Sequence, residues 1–265
     1  MKKTLIIGVI LTFAVSIFAN AVGAVTQNDN KSVYNWYCKK TQNGSKPDLP
    51  SEFSFIKETD GYYIDENVSE DQDKVIYLTF DCGYENGNVE KILDVLKKHE
   101  AKGAFFVLGN LVKRNSELVK RMNDEGHLVC NHTCSHKNMT RVNSKEEFEK
   151  ELKSLESLTE EMCGFSISHY YRPPEGCFNK QNLMWAKELG YKTVFWSCAY
   201  DDWDNNRQMS CDKAMDKLLS RLHNGEVLLL HPTSKTNAEI LDGFLSELEN
   251  RGYRFGTLDE LCNQI

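Results

Sequence analysis

Val75-Ile76-Tyr77-Leu78-Thr79-Phe80-Asp81-Cys82-Gly83 carries an unbroken apolar run into a carboxylate, a thiol and a glycine. Residues 75–80 read as a strand, being short, apolar and rich in aliphatic and aromatic side chains. Asp81 then stands at its end, with Cys82 as a possible metal ligand beside it. The rhythm repeats downstream. An amphipathic stretch carrying Ile92, Leu93 and Leu96 on one face follows, then a strand at 104–108 and a helix at 116–124. Residues 128–130 lead into a histidine segment. A long helix opens at Ser144, where Glu147 completes a capping box. Tyr170 and Tyr171 lead into Arg172, and a helix over 182–189 stops at Gly190. Strands at 193–196, 227–230 and 253–255 close the series, with helices over 211–223 and 237–250 between them.

Seven β/α units imply a parallel sheet, and about 190 residues suit one closure better than two domains. The expected fold class is α/β, a distorted (β/α)7-type barrel, with an open doubly wound sheet as the alternative. In either, the site lies at the carboxyl ends of the strands. The polar candidates fall there: Asp81 after the first strand, His132 after the third, Arg172 after the fourth, Asp202 beyond the fifth and His231 after the sixth.

The amino-terminal part differs. Lys2 and Lys3 precede an apolar run at 5–18 and small residues up to Ala24, the layout of a secretory signal peptide over 1–24. Retention of that run as a membrane anchor is the alternative. Residues 25–70 are polar and irregular, yet Trp36, Tyr37, Phe53, Phe55, Tyr62 and Tyr63 are scattered through them. So many aromatics imply an arm packed on the main domain of 71–265. Without Lys2 and Lys3 the 32 basic residues become 30 against 39 acidic ones, a net charge of −9. Nucleic acid is therefore not an expected partner. The nine cysteines are odd in number and fit no paired disulfide framework.

His132 and His136 are spaced i, i+4, so on a helical turn both imidazoles reach one divalent ion, zinc first. Cys130, His132, Cys134 and His136 also alternate, and on an extended strand they would form a closed structural zinc site. Asn131, Thr133 and Ser135 do not read as a strand core, which favours the helical turn and a two-histidine site open to water. Asp81 could take a proton from such water, or merely cap a turn. Arg172, on the stiff backbone before Pro173 and Pro174, suits bidentate contact with Asp81. His231, half buried at the rim, could donate a proton near neutral pH.

These residues resemble the NodB-type polysaccharide deacetylases of carbohydrate esterase family 4. The signature strings are matched by residues 79–83, by His132-Thr133-Cys134-Ser135-His136, by Arg172-Pro173-Pro174-Glu175-Gly176, by Asp202-Trp203 and by Leu229-Leu230-His231. Gly83-Tyr84-Glu85-Asn86-Gly87 and the aromatic arm, with Asn35-Trp36-Tyr37, resemble the δ-lactam-biosynthetic, PdaA-type subgroup, whose members act on muramic acid in spore cortex peptidoglycan. The resemblance implies that Asp81 is the general base, His132 and His136 bind the metal, Arg172 orients Asp81 and His231 is the general acid. It implies hydrolysis of an N-acetyl group, with the backbone N–H of Glu175 helping to stabilise the oxyanion. Tyr84 and Trp203 would wall a sugar groove, Trp196 would either join them or pack in the core, and Glu175 and Asp202 would also lie against substrate.

Three positions depart from the family pattern. Cys82 stands where the family usually has Asp, so a thiolate replaces that ligand or the histidines hold the metal with water. Ala199 stands where many members carry an Asp, leaving Asp202 or another group to tune His231. Glu175 replaces the usual Tyr or Arg, and a carboxylate beside anionic muramic acid would be costly. The expected activity is therefore a zinc-dependent, exported deacetylase of peptidoglycan strands, with N-acetylmuramic acid as substrate. N-acetylglucosamine in peptidoglycan or chitin-type glycan is the alternative sugar. A non-catalytic glycan-binding protein is the alternative class, against which the retention of Asp81, Arg172 and His231 together speaks.

Overall fold

The computed structural model describes residues 29–41, 44–69 and 73–263, so the expected leader at 1–24 lies outside the described residues. The strands are β1 (Tyr34–Asn35), β2 (Gly61–Tyr62), β3 (Lys74–Cys82), β4 (Gly103–Val107), β5 (Leu128–Asn131), β6 (Ser168–Tyr171), β7 (Cys177–Phe178), β8 (Lys192–Val194), β9 (Cys198–Ala199), β10 (Glu226–Leu230) and β11 (Tyr253–Phe255). Around them lie α1 (Val89–Lys98), α2 (Gly109–Arg114), α3 (Ser116–Asp124), α4 (Lys145–Cys163), α5 (Lys180–Glu188), α6 (Cys211–Arg221), α7 (Lys235–Asn250) and α8 (Leu258–Cys262).

The main sheet runs β2-β8-β6-β5-β4-β3-β10-β9, with β11 also on β3. Its named pairs are parallel. β3 lies at its centre, and strand alternation divides its side chains between two cores. Val75 and Tyr77 join Ala104, Phe106, Cys130, Val194 and Val227 on the concave side. Ile76, Leu78, Phe80 and Cys82 join the helix-facing core with Ile92, Leu93, Phe244 and Leu245. Burial on both faces explains why the sequence of β3 shows no polar alternation.

The sheet is a parallel half-barrel ringed by helices. One strand differs from the sequence expectation: the strand at 193–196 stops at Val194, and a second short strand follows at Cys198–Ala199. β8 pairs with β6 and β2, whereas β9 pairs with β10. The chain between them crosses the gap, so closure there is covalent and not a strand ladder. Ser197 pins the crossing, because its N–H donates to Val227 O at 2.9 Å and its hydroxyl accepts from Val227 N at 3.0 Å. His223 Nε2 lies 2.9 Å from the same hydroxyl, and its Nδ1 is 3.2 Å from Glu226. Burial holds His223 down to about 4 and pushes Glu226 up to about 8, so the two meet as neutral groups near pH 7.

The arm is integral to the fold. Trp36 is buried and stacks on Phe195, with ring centroids 4.3 Å apart, and on Phe53. Its indole N–H donates to Trp196 O at 2.9 Å. β1 pairs with β7, immediately after the Arg-Pro-Pro-Glu-Gly segment, and β2 extends the main sheet. Helix α4 begins as expected: Ser144 Oγ accepts from Glu147 N at 3.3 Å. The Glu147 carboxylate reaches back one residue further than the capping box requires, to Asn143 N at 3.2 Å. Among the described residues no helix is long and apolar enough to cross a membrane.

Candidate active site

Asp81 leaves β3 on the concave face at the carboxyl rim, two residues after Thr79 and on the same side. Its Oδ1 accepts from Arg172 Nη1 at 2.9 Å. Arg172, at the end of β6, is fully buried, and its other donors are spent on the scaffold: Nε on Val194 O at 2.9 Å, Nη2 on Thr79 Oγ1 at 2.9 Å and Phe195 O at 3.2 Å. The expected bidentate clamp is thus a single bond to Asp81, because the second amino group is taken by Thr79. The guanidinium also lies over the Phe106 ring at 4.1 Å. Burial pushes the Asp81 carboxyl up, but Arg172, then His132 and His231, outweigh it and hold it below the ordinary carboxylate range.

His132 follows β5. Its Nδ1 lies 2.9 Å from Arg172 O, and a carbonyl can only accept, so Nδ1 carries the hydrogen and Nε2 keeps its lone pair. That Nε2 is 3.6 Å from Asp81 Oδ2. Burial lowers His132 to about 4 against the pull of Asp81, keeping the ring neutral. The two histidines meet, with ring centroids 5.2 Å apart, but not on the expected helical turn. Thr133 and His136 both adopt left-handed backbone, φ 71° and 57°. Side chains stabilise this tight loop: Asn131 Oδ1 accepts from Thr133 N at 2.9 Å, and Thr133 Oγ1 accepts from His136 N at 3.0 Å. Asn131 in turn donates to Leu152 O and Tyr191 Oη.

Cys82 is placed elsewhere. As the next residue on an extended strand it points away from Asp81, is 1% exposed, and packs in the helix-facing core, where burial raises its thiol strongly. The reading of Cys82 as a thiolate ligand is therefore corrected. The alternating zinc site also fails, since Cys130 lies in the concave core while Cys134 packs against the helix-facing one. Among the described residues no group of three or more His, Cys, Asp or Glu side chains is arranged as a metal cage. The donor set nevertheless suits a divalent ion. His132 presents an unprotonated nitrogen fixed by a carbonyl bond on its far side, the usual support of a ligating histidine, and His136 and Asp81 face it.

On the opposite side, His231 follows β10. Its Nδ1 contacts Asp202 Oδ1 at 2.7 Å, and its backbone N–H donates to Asp202 Oδ2 at 2.7 Å. Asp202 is 1% exposed and spends both oxygens inside the protein, so its expected place against substrate is corrected to a place behind His231. Burial lowers the His231 ring, but Asp202 and Asp81 outweigh it and raise it above the ordinary histidine value.

The rim between these two sides carries Tyr84, Trp203 and Glu175, all exposed. Tyr84 Oη accepts from Asn205 Nδ2 at 2.5 Å, joining the loops after β3 and β9. Glu175, at φ 61°, accepts from Asn138 Nδ2 at 3.2 Å, which ties it to the histidine loop. Gly176, at φ 62°, must be glycine: a Cβ there would lie 2.9 Å from the Trp196 ring. Trp196 packs between two cores and lies 5.6 Å from the Arg172 guanidinium, so it supports the site more than it walls a groove. Thr79, Asn131, Tyr200 and Asn237 escaped sequence reasoning. For Thr79 and Asn131 a signal existed, as polar residues at the ends of apolar strands.

A family model for polysaccharide deacetylases matches residues 69–194. The chain belongs to the polysaccharide deacetylase family, the NodB-type hydrolases of carbohydrate esterase family 4. It is 41% identical over 228 residues to the peptidoglycan-N-acetylmuramic acid deacetylase PdaA of Bacillus subtilis (strain 168), a match spanning 86% of this chain and 85% of that one. The structure of Bacillus subtilis PdaA, a family 4 carbohydrate esterase, is similar with a TM-score of 0.82 at 40% identity, covering 87% of this chain and 97% of that one. The peptidoglycan-N-acetylglucosamine deacetylase PgdA of Listeria monocytogenes serotype 1/2a (strain 10403S) is 36% identical over 191 residues, 72% of this chain but 39% of that one.

Proposed function

We propose that this protein removes the N-acetyl group from N-acetylmuramic acid in peptidoglycan, on the cell-wall side of the membrane, as the step that precedes muramic δ-lactam formation in spore cortex. One observation carries the reaction type. Two ionisable groups at one rim are pushed in opposite directions, Arg172 favouring the ionised form of Asp81 and Asp202 favouring the protonated form of His231. That division matches amide hydrolysis, which needs a base for water and an acid for the amine. The sugar assignment rests on the similarity to PdaA, which spans more of both chains than the similarity to PgdA does.

Asp81 takes the proton of the attacking water as its oxygen bonds to the acetyl carbon. His231 gives a proton to the sugar nitrogen as the carbon–nitrogen bond breaks, leaving acetate and a free amine. Arg172 keeps Asp81 ionised and aimed along the rim. The N–H of Glu175 would help to stabilise the oxyanion. His132 and His136 would hold a divalent ion, zinc first, which when bound supplies Lewis-acid charge for the carbonyl and the water. Tyr84 and Trp203 give the sugar exposed aromatic faces.

Glu175 favours a second reading, N-acetylglucosamine as the acceptor sugar, since an exposed carboxylate opposes the muramic lactyl group. The test is acetate release by the mature chain from peptidoglycan, with and without stem peptides, under several divalent metals. Mass spectrometry of the digest then locates the deacetylated sugar. Deacetylated glucosamine alone would overturn the muramic assignment. Retained glycan binding with no acetate under any metal would leave only the non-catalytic reading.

A further inference from the structure

Behind the Asp202–His231 pair lies a fully buried amide that no signature string of the family contains. Asn237 sits in the first turn of α7, where its N–H donates to the capping hydroxyl of Ser234 at 3.1 Å. Its side-chain Nδ2 makes two bonds, to Asp202 Oδ2 at 2.6 Å and to His231 O at 3.0 Å. Its Oδ1 accepts from the Tyr200 hydroxyl. Tyr200 is itself buried, and its carbonyl accepts from Asp202 N at 2.9 Å. The circuit runs from Tyr200 through Asn237 and Asp202 to His231.

Chemistry fixes the direction of this circuit. Both partners of Nδ2 are acceptors, a carboxylate and a carbonyl, so that end of the amide must donate. The Tyr200 hydroxyl supplies the one donor that Oδ1 requires. A flipped amide would face its oxygen to two acceptors and leave the tyrosine proton against an NH2. Tyr200 thus selects one amide orientation, and that orientation delivers an N–H to the buried carboxylate. Asp202, removed from water, has this bond and the two from His231 to compensate its charge. The same Nδ2 group grips the His231 carbonyl, so a single side chain ties the carboxylate and the backbone of the imidazole together.

We propose that Asn237, oriented by Tyr200, is a positioning residue of the deacetylase: it locks Asp202 in one rotamer, and Asp202 holds the His231 ring with Nδ1–H inward and Nε2–H facing the departing nitrogen. The inference rests on the reading of His231 as general acid. It adds to that reading the amide that fixes Asp202, the carboxylate facing His231 where Ala199 supplies none. Losing a general acid outright costs about 10²–10⁴ in rate, and loosening one costs about 10- to 100-fold.

The test uses the mature chain and four variants, Asn237→Leu, Asn237→Asp, Tyr200→Phe and His231→Gln. Each is assayed on an acetylated amino-sugar oligomer and on an aryl acetate ester, whose leaving group needs no proton. The downfield imidazole N–H proton resonance of His231 is followed by NMR, with His231→Gln as its assignment control. Asn237→Leu should lower kcat on the amide by about 10- to 100-fold with KM little changed, leave ester turnover within about threefold, and abolish or shift the resonance. Tyr200→Phe should give a smaller loss of the same kind. Asn237→Asp, similar in shape but without the donating amide, should lose amide turnover increasingly as pH rises. Equal losses on amide and ester would mean a general structural role and overturn the inference, as would an unchanged resonance with kcat within about twofold. Full amide activity in His231→Gln would instead sink the general-acid reading itself.

Discussion

Replacing Arg172 with Met tests the centre of the site most sharply. The guanidinium is fully buried and makes four hydrogen bonds, to Asp81, Thr79 Oγ1, Val194 O and Phe195 O. Methionine fills similar volume but leaves Asp81 as an uncompensated buried charge and two carbonyls without this donor. Breaking one side of a buried pair costs about 3–5 kcal/mol, equivalent to a fall of roughly 6–20 °C in Tm for a domain of this size. The pH dependence is the stricter part. In the native chain Asp81 is held below its unfolded value, so its contribution is fully present above the unfolded pKa and is lost only as pH falls through the lower folded one. Without Arg172, burial, the largest influence on this carboxyl, drives its folded value above the unfolded one. The sign then reverses: the variant loses stability as pH rises through that window, by up to about 1.4 kcal/mol per pH unit. Urea unfolding with a chelator present, at pH 5 and pH 7.5, should show a larger deficit at pH 7.5. Adding Asp81→Asn to Arg172→Met should restore part of the loss and flatten the pH dependence. A deficit below about 1 kcal/mol, or one equal at both pH values, would refute the electrostatic account of this pair.

Glu226 lies under the barrel crossing with burial pushing it up to about 8, so native stability falls as pH rises from the unfolded carboxylate value through about 8. Glu226→Gln should remove that slope and gain on the native chain between pH 5 and pH 9 by more than about 1 kcal/mol, measured by urea unfolding at both. Glu175→Gln should raise kcat/KM on muramic substrates up to about fivefold and leave glucosamine substrates unchanged, since one exposed charge is worth at most about 1 kcal/mol; equal effects on both sugars would exclude a charge contact with the lactyl group. His99 links α1 to α7 through Asp242 and Glu249, at 2.8 and 3.0 Å, and these partners raise it despite partial burial. Its contribution is complete below the unfolded histidine value and lost as pH rises through the raised one, so His99→Gln should cost under about 1 kcal/mol at pH 5.5 and nothing at pH 9, read as Tm against pH.

The fold was legible because its strands are short apolar runs separated by amphipathic helices, a periodicity that survives tertiary context. Asp81, His132, Arg172 and His231 were legible for a topological reason: residues at or just past the ends of parallel strands share one rim whatever the loops do. The loops themselves were less readable. Spacing alone put His132 and His136 on a helical turn, whereas Asn131 and Thr133 capture backbone N–H groups and force left-handed residues at Thr133 and His136. The two imidazoles meet either way, because a tight turn and a helical turn both bring i and i+4 together. The early end of the fifth strand and the separate strand at Cys198–Ala199 were hidden, since Thr193 to Trp196 is apolar enough for one strand and only Ser197 marks the crossing.

Cys82 and Asp202 show how a side chain's direction outweighs its position in sequence. The strand expected to end at Phe80 continues to Cys82, so alternation that sends Thr79 and Asp81 inward sends Phe80 and Cys82 into the helix-facing core. A carboxylate at that position would have to leave the strand to reach the histidines. A thiol is content to remain, because an uncharged cysteine buries like a small apolar group. The resemblance sets Asp202 against substrate, with the tuning of His231 as its other possible task, and in the fold it turns inward to three donors, two of them from His231 and one from Asn237. The nearest clue, Asn237, lies six residues beyond His231 on another element, where no motif spacing would bring it to attention. The His231 side of this site is therefore assembled by tertiary contact between the loop after β9 and the start of α7. The Asp81 side is written into the strand ends.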